Sequence, residues 1–185
     1  MKKTVIIVIF LSCYKLFAQT IVPVEQMGNY NLASLTNKTY FKDVNNVMEK
    51  YLGSWFFDNG IKRVEINIYK FEDTNYRGSD FIKDEFYIEF KYTENGTVQF
   101  DTMGQDQKYF IAGGGFWWPE YPDKYRLLYN EPGQNWSDNY QYLIIEYLPD
   151  ASGGVPHLSW NVHVEPLREY PTLPQMPLNM TFTKQ

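Results

Sequence analysis

The chain has one cysteine, Cys13, and two histidines, His157 and His163, among 185 residues. Downstream of Cys13 there is no material for a disulfide framework, a thiolate nucleophile or a Cys-based zinc site. The two histidines fall on one face of an alternating segment, and six strand residues separate them by about 20 Å. A shared metal ion is therefore not expected. Basic residues are also short, 17 against 22 acidic, with a sequence pI near 5.1, so the cationic face that nucleic acid requires is missing. No apolar run approaches the roughly 18 residues of a membrane-spanning helix. Gly113-Gly114-Gly115 is followed by Phe116 and Trp117, not by the Lys-Ser/Thr of a phosphate cradle. No cofactor is expected.

Aromatic residues are abundant at 18 %, made up of 16 Tyr, 13 Phe and 5 Trp, and that excludes disorder of the whole chain because so much apolar surface collapses.

Met1-Lys2-Lys3, the apolar run Thr4–Ser12 and small Ala18 form the basic head, apolar middle and cut site of a secretory leader. Residues 1–18 are read as a signal peptide and the protein as exported, to the periplasm, outer surface or medium. Lipidation at Cys13 is the less favoured route, because Leu11 stands where a lipobox holds a small residue. Loss of 1–18 removes three lysines and no acid, which takes the net charge from −5 to −8.

Residues 19–42 show no sustained periodicity and read as an N-terminal arm. Asp43 reads as an N-cap, with Val44, Val47, Met48, Tyr51 and Leu52 at helical spacing and Gly53 as the stop, which predicts one short helix. From Ser54 the period switches to 2. In 81–92, Ile82, Phe86, Ile88, Phe90 and Tyr92 share one face; Lys83, Glu85, Glu89 and Lys91 share the other. Segments 61–71 and 157–165 alternate in the same way, and shorter strands are expected at 54–57, 97–102, 107–112, 124–130, 140–148 and 178–183. Asn59-Gly60 and Asn95-Gly96 mark tight antiparallel hairpins. Segment 140–148 is apolar on both faces and should be covered on both; the proline-rich 166–177 is a connector. Residues 43–185 thus read as one all-β domain, an antiparallel up-and-down barrel of eight to nine strands, with a β-sandwich as the alternative.

Tyr51-Leu52-Gly53-Ser54-Trp55, a Gly-x-Trp opening the first strand after a short helix, resembles the lipocalin signature. That resemblance implies a glycine bend into the strand and a tryptophan plugging the closed end, usually under an arginine from the last strand. Here the last strand, Leu178 to Gln185, offers Lys184 instead. Taken whole, the chain resembles an uncharacterised family of small exported Bacteroidota proteins. The likeness rests on the lysine-led leader ending in Ala-Gln, the Tyr-Leu-Gly-Ser-Trp, the Asp58-Asn59-Gly60 hairpin and the closing Thr181-Phe182-Thr183-Lys184-Gln185. It implies export and a lipocalin-like barrel, and transfers no catalytic residue.

The most unusual stretch is 113–122, where Phe116, Trp117, Trp118 and Tyr121 follow three glycines and crowd too closely to share one core. Trp136 sits in a second polar loop. The first expectation is a non-enzymatic, lipocalin-like binding protein. It holds a small apolar or amphipathic ligand in the barrel, lined by Phe86, Phe90 and Trp160, or at the mouth beside Trp117. The second is a cell-surface module that takes glycan or protein on the aromatic loop through Phe116, Trp117, Trp118 and Tyr121. The third is a small hydrolase built on two carboxylates, with Asp84 and Glu146 as candidates because both lie on apolar strands.

Overall fold

The computed structural model describes residues 19–35, 39–75, 81–105, 111–118, 120–133, 139–166 and 174–185. The expected leader at 1–18, Trp136 and the centre of the proline-rich connector lie outside the described residues.

The strands in chain order are β1 (Thr20–Pro23), β2 (Thr39–Lys42), β3 (Gly53–Asp58), β4 (Lys62–Thr74), β5 (Phe81–Glu94), β6 (Thr97–Asp101), β7 (Ile111–Gly115), β8 (Lys124–Leu128), β9 (Asn139–Leu148), β10 (His157–Pro166) and β11 (Asn179–Lys184). Eight of them close an antiparallel barrel in the order β5-β4-β3-β11-β10-β9-β8-β7, and β7 returns to β5. The all-β, up-and-down reading holds, and the sheet closes on itself where a sandwich would split in two. Both Asn-Gly pairs turn hairpins, β3–β4 and β5–β6, with Gly60 at φ +86°, Asn95 at +50° and Gly96 at +75°. Positive φ is what a two-residue hairpin loop demands.

At 14 residues β5 outruns each neighbour on its second edge, so that edge is divided. β2 pairs with Phe81–Lys83, β7 with Phe86–Ile88 and β6 with Lys91–Glu94. The period-2 pattern decides the interior. Val64, Ile66 and Ile68 of β4, Phe86, Ile88, Phe90 and Tyr92 of β5, and Leu158 and Trp160 of β10 are all at most 1 % exposed. Among the described residues, no helix is long and apolar enough to cross a membrane.

Three expectations are corrected, and one burial pattern on β5 is added. The helix predicted from Asp43 to Leu52 is absent as an α-helix; the chain turns there and closes only one 3-10 turn, Glu49–Tyr51. Asn46 sits at φ +55°, which no right-handed helix tolerates, and the Asp43 amide donates instead to Asp84 Oδ2 at 2.8 Å. The arm is more ordered than its lack of periodicity suggests. It carries β1 and β2; β1 pairs parallel with β2 and β2 pairs parallel with β5, the two exceptions to the antiparallel rule. Phe41 drives this docking through edge contacts to Tyr30 at 5.5 Å and Phe81 at 5.7 Å. The polar face of β5 is partly buried: Lys83, Glu85 and Glu89 are all buried, and Lys83 borders a pocket together with Met27 and Leu32 of the arm. Finally, β9 is fully covered on one face only. Leu143 and Ile145 are buried inside, while Tyr142, Ile144 and Glu146 stay half-buried on the outer wall.

Candidate functional site

The three glycines serve a close approach. Gly113 and Gly114 sit at φ +78° and +80°, and the β7–β8 register shifts between Ala112 and Gly115. A Cβ on Gly114 would collide with the Arg126 carbonyl, so only glycine lets β8 lie against this bulge. The bulge ends β7 and sends the next residues outward. Phe116 stays inside, fully buried and edge-on to Tyr125 at 4.9 Å. Trp117 is 38 % exposed, Trp118 is half-buried, and Tyr121 is 51 % exposed. Two tight turns fix the loop: Tyr121 N–H donates to the Trp118 carbonyl at 2.8 Å, and Lys124 N–H to that of Tyr121 at 3.0 Å.

Below this loop the outward residues of β8, β9, β10 and β11 line up by register. Lys124 stands opposite Glu146, which stands opposite Ser159; Arg126 opposes Ile144, then Asn161, then Asn179. The Lys124 ammonium lies 3.7 Å from Glu146 Oε2 and 4.7 Å from the Tyr121 ring centre. The Arg126 guanidinium lies 4.1 Å from the Tyr142 ring centre and 5.8 Å from that of Trp117. Tyr142 stacks flat on His163 at 4.8 Å and 6°. Part of this wall, without Arg126 and Tyr142, bounds a groove of about 400 Å³. The rings of Trp118 and Tyr121 border it, with Ile144, Lys124, Glu146, Asn161, Asn179 and His163 as further lining. It is a wall of aromatic and polar groups in alternation, suited to a ligand with both apolar faces and hydroxyls or amines.

The sequence candidates divide between two places. Phe86, Phe90, Phe116 and Trp160 fill the interior, where Phe86 lies 4.5 Å from Tyr125 and 5.3 Å from Tyr51, and Trp160 lies 5.5 Å from Phe182. Trp117, Trp118 and Tyr121 lie outside, and only Trp118 and Tyr121 border the groove. Asp84 and Glu146 do not meet as a pair. Asp84 is 1 % exposed and accepts from Tyr40 Oη at 2.6 Å, the Asp43 amide at 2.8 Å and the Asp73 amide at 3.3 Å, while Glu146 lies on the outer wall against Lys124. His157 rests beside Thr183, and His163 on Tyr142. Among the described residues, no group of three His, Cys, Asp or Glu side chains could hold a metal ion. Sequence reasoning passed over Lys124, Asn161 and Asn179. Nothing local marks them, and only the register of four strands brings them together.

At the opposite signature, Gly53 takes φ +102° and Trp55 is fully buried, its Nε1–H donating to the Tyr51 carbonyl at 2.8 Å. The Lys184 ammonium sits 5.2 Å from the Trp55 ring centre, in the place the lipocalin resemblance gives to an arginine. The chain is thus a closed eight-stranded antiparallel barrel with aromatic side chains packed inside it and extra strands beside β5. It belongs to DUF6705, a family of unknown function, which it matches over residues 1–116, that is 116 of its 185 residues. The match ends at Phe116, just past β7, so the strands that carry most of the outer groove follow it. No curated protein matches the chain, and no solved structure does.

Proposed function

We propose that the protein is an exported binding protein that acts without chemistry, and that its ligand is a saccharide held on the outer wall beneath Trp118 and Tyr121. The observation that carries this reading is the groove itself. Two aromatic rings face a floor of carboxylate, amide, ammonium and imidazole groups in a volume of about 400 Å³. A pyranose offers apolar C–H faces that rings cover and hydroxyls that Glu146, Asn161 and Asn179 can hydrogen-bond. The interior is the poorer place for a ligand, because the Phe86–Tyr125 and Trp160–Phe182 contacts already occupy it. A dyad mechanism is disfavoured because Asp84 is committed to three donors. The leader-like sequence of residues 1–18 supports export, which suits a surface-facing receptor.

Affinity electrophoresis against soluble neutral polysaccharides (a β-glucan, a xylan and a mannan) tests this. Retardation by at least one of them, abolished by Trp118→Ala with Tyr121→Ala in a folded protein, is the expected result. No retardation by any, or retardation unchanged in the double variant, overturns it.

A further inference from the structure

Asn59-Gly60 and Asn95-Gly96 present the same two reactants at two hairpin tips: a carboxamide carbon and, one residue on, a peptide nitrogen that no side chain shields. Both dipeptides are exposed, and the tips touch, the Asn95 N–H donating to the Ile61 carbonyl at 2.9 Å. Sequence and solvent therefore treat the two asparagines alike. Hydrogen bonding does not. The Gly60 N–H donates to Asp58 Oδ1 at 2.8 Å. Asn59 Oδ1 accepts from the amides of Ile61 at 3.1 Å and Lys62 at 2.8 Å, so its carboxamide is tied into the turn. Among the described residues, neither the Asn95 carboxamide nor the Gly96 N–H has a hydrogen-bond partner. The adjacent carboxylate, Glu94, is engaged elsewhere, by Tyr92 Oη at 3.0 Å and the Lys62 ammonium at 3.4 Å.

We propose that Asn95 is a site of spontaneous deamidation and that Asn59 is protected from the same reaction by its turn. The Gly96 peptide nitrogen gives its proton to solvent base and attacks Asn95 Cγ. A C–N bond closes a five-membered imide, the Cγ–Nδ2 bond breaks, and ammonia leaves with a proton taken from solvent. Water then adds to either imide carbonyl, and cleavage of that C–N bond yields aspartate or isoaspartate. Water is the only co-reactant. At the other tip the reacting N–H is held by the Asp58 carboxylate, whose charge opposes loss of the proton, and the Asn59 carboxamide must give up two bonds to swing onto the nitrogen. Isoaspartate routes the main chain through the former side-chain methylene. That lengthens a two-residue loop with positive φ at both positions, and so loosens β6 from the Lys91–Glu94 end of β5.

The test is incubation of the full chain in mildly alkaline buffer, followed by peptide mapping with mass spectrometry that separates isoaspartate from aspartate. The Asn95 peptide should convert about tenfold faster than the Asn59 peptide, the factor that one ordinary hydrogen bond supplies, and should contain both products. In urea the two rates should converge, because the protecting turn is gone. Asp58→Ala releases the Gly60 N–H and should speed Asn59 severalfold while leaving Asn95 unchanged. Equal rates in the folded chain, faster loss at Asn59, or an Asn95 that reacts only when unfolded overturns the proposal. So does aspartate at 95 without isoaspartate, which would mean that no imide forms, or an Asn59 rate that Asp58→Ala fails to raise.

Discussion

Lys184, the penultimate residue, lays its ammonium 5.2 Å from the centre of the Trp55 ring and donates to the Lys50 carbonyl at 3.4 Å. The pair is set by register, since Lys184 stands opposite Trp55 where β11 meets β3. It ties the end of the last barrel strand to the start of the first, across the seam that closes the barrel. A cation over a tryptophan face contributes about 0.5–2 kcal/mol depending on its desolvation. Lys184→Met should therefore lower stability in urea unfolding by about 1 kcal/mol. Lys184→Arg should keep it within about 0.5 kcal/mol, because a guanidinium suits the same ring face. Equal losses in both variants would show that the cation contributes nothing.

Gly114 is the position where the fold depends on a missing side chain. Gly114→Ala adds a Cβ into the Arg126 carbonyl at a φ of +80°. Backbone strain alone costs roughly 1–3 kcal/mol, and the clash adds to it. The expected loss is about 3 kcal/mol or more, with the β7–β8 amides losing hydrogen-exchange protection first. Gly104→Ala provides the control, with φ +68° and open space around the added methyl, and should cost only about 1–2 kcal/mol.

The contrast between these glycines bears on how far the sequence could be read. Strand positions were legible because Val64-Glu65-Ile66-Asn67-Ile68 leaves one parity apolar, and the Asn-Gly turns because their φ requirements are local. The 43–52 segment was misread because its helical spacing is real. Yet Asn46 turns left-handed, and the Asp43 backbone bonds to Asp84, 41 residues away, which local periodicity does not encode. The arm was illegible for the same reason: β2 is held by Phe81 and Asp84, not by its own pattern. At the site, Trp118 and Tyr121 stood out as surplus aromatics. Their polar partners Lys124, Asn161 and Asn179 come from three strands and meet only through register.

Asp84 clamps the arm to the barrel. It receives Tyr40 Oη and the amides of Asp43 and Asp73, so one carboxylate holds β2 and the segments after β2 and at the end of β4. Burial, reinforced by this carboxylate, pushes the Tyr40 phenol well above its ordinary value. Asp84→Ala leaves buried donors unpaired at roughly 1–3 kcal/mol each. The expected outcome is a loss of about 3 kcal/mol and faster proteolysis within 19–42, with saccharide binding at the distant outer groove retained in the folded fraction. Loss of turnover of a model glycoside would instead assign Asp84 to catalysis.

Glu131 should give the stability curve a slope. Its carboxylate is 1 % exposed and accepts from Tyr129 Oη at 2.5 Å and the amides of Gln175 and Met176 at 2.7 and 2.9 Å. Burial raises its pKa above the ordinary carboxylate value, although the three donors pull the other way. The folded state therefore binds this proton more tightly than the unfolded chain does. Unfolding releases it, so stability falls as pH rises from the ordinary carboxylate range through the raised value. Urea midpoints measured across that range should show this fall in the wild type and a shallower one in Glu131→Gln. Parallel curves for the two proteins would refute the assignment.

Trp160 decides whether the interior is a filled core or a ligand chamber. It is fully buried against Tyr129 and Phe182, yet its Nε1–H finds no acceptor among the described residues. A buried donor without a partner is costly, so the indole is retained for its volume and not for its hydrogen bond. Trp160→Phe removes the orphaned donor and part of the ring, two effects of opposite sign, and should change stability by less than about 1.5 kcal/mol. Trp160→Ala leaves a cavity and should cost about 3–5 kcal/mol. If the interior is filled, benzene should stabilise Trp160→Ala in thermal unfolding and leave the wild type unmoved, because only the variant has a dry apolar cavity to offer. A wild type stabilised as much as the variant would mean that the barrel already holds room for a ligand, and the saccharide groove would lose its claim to be the main site.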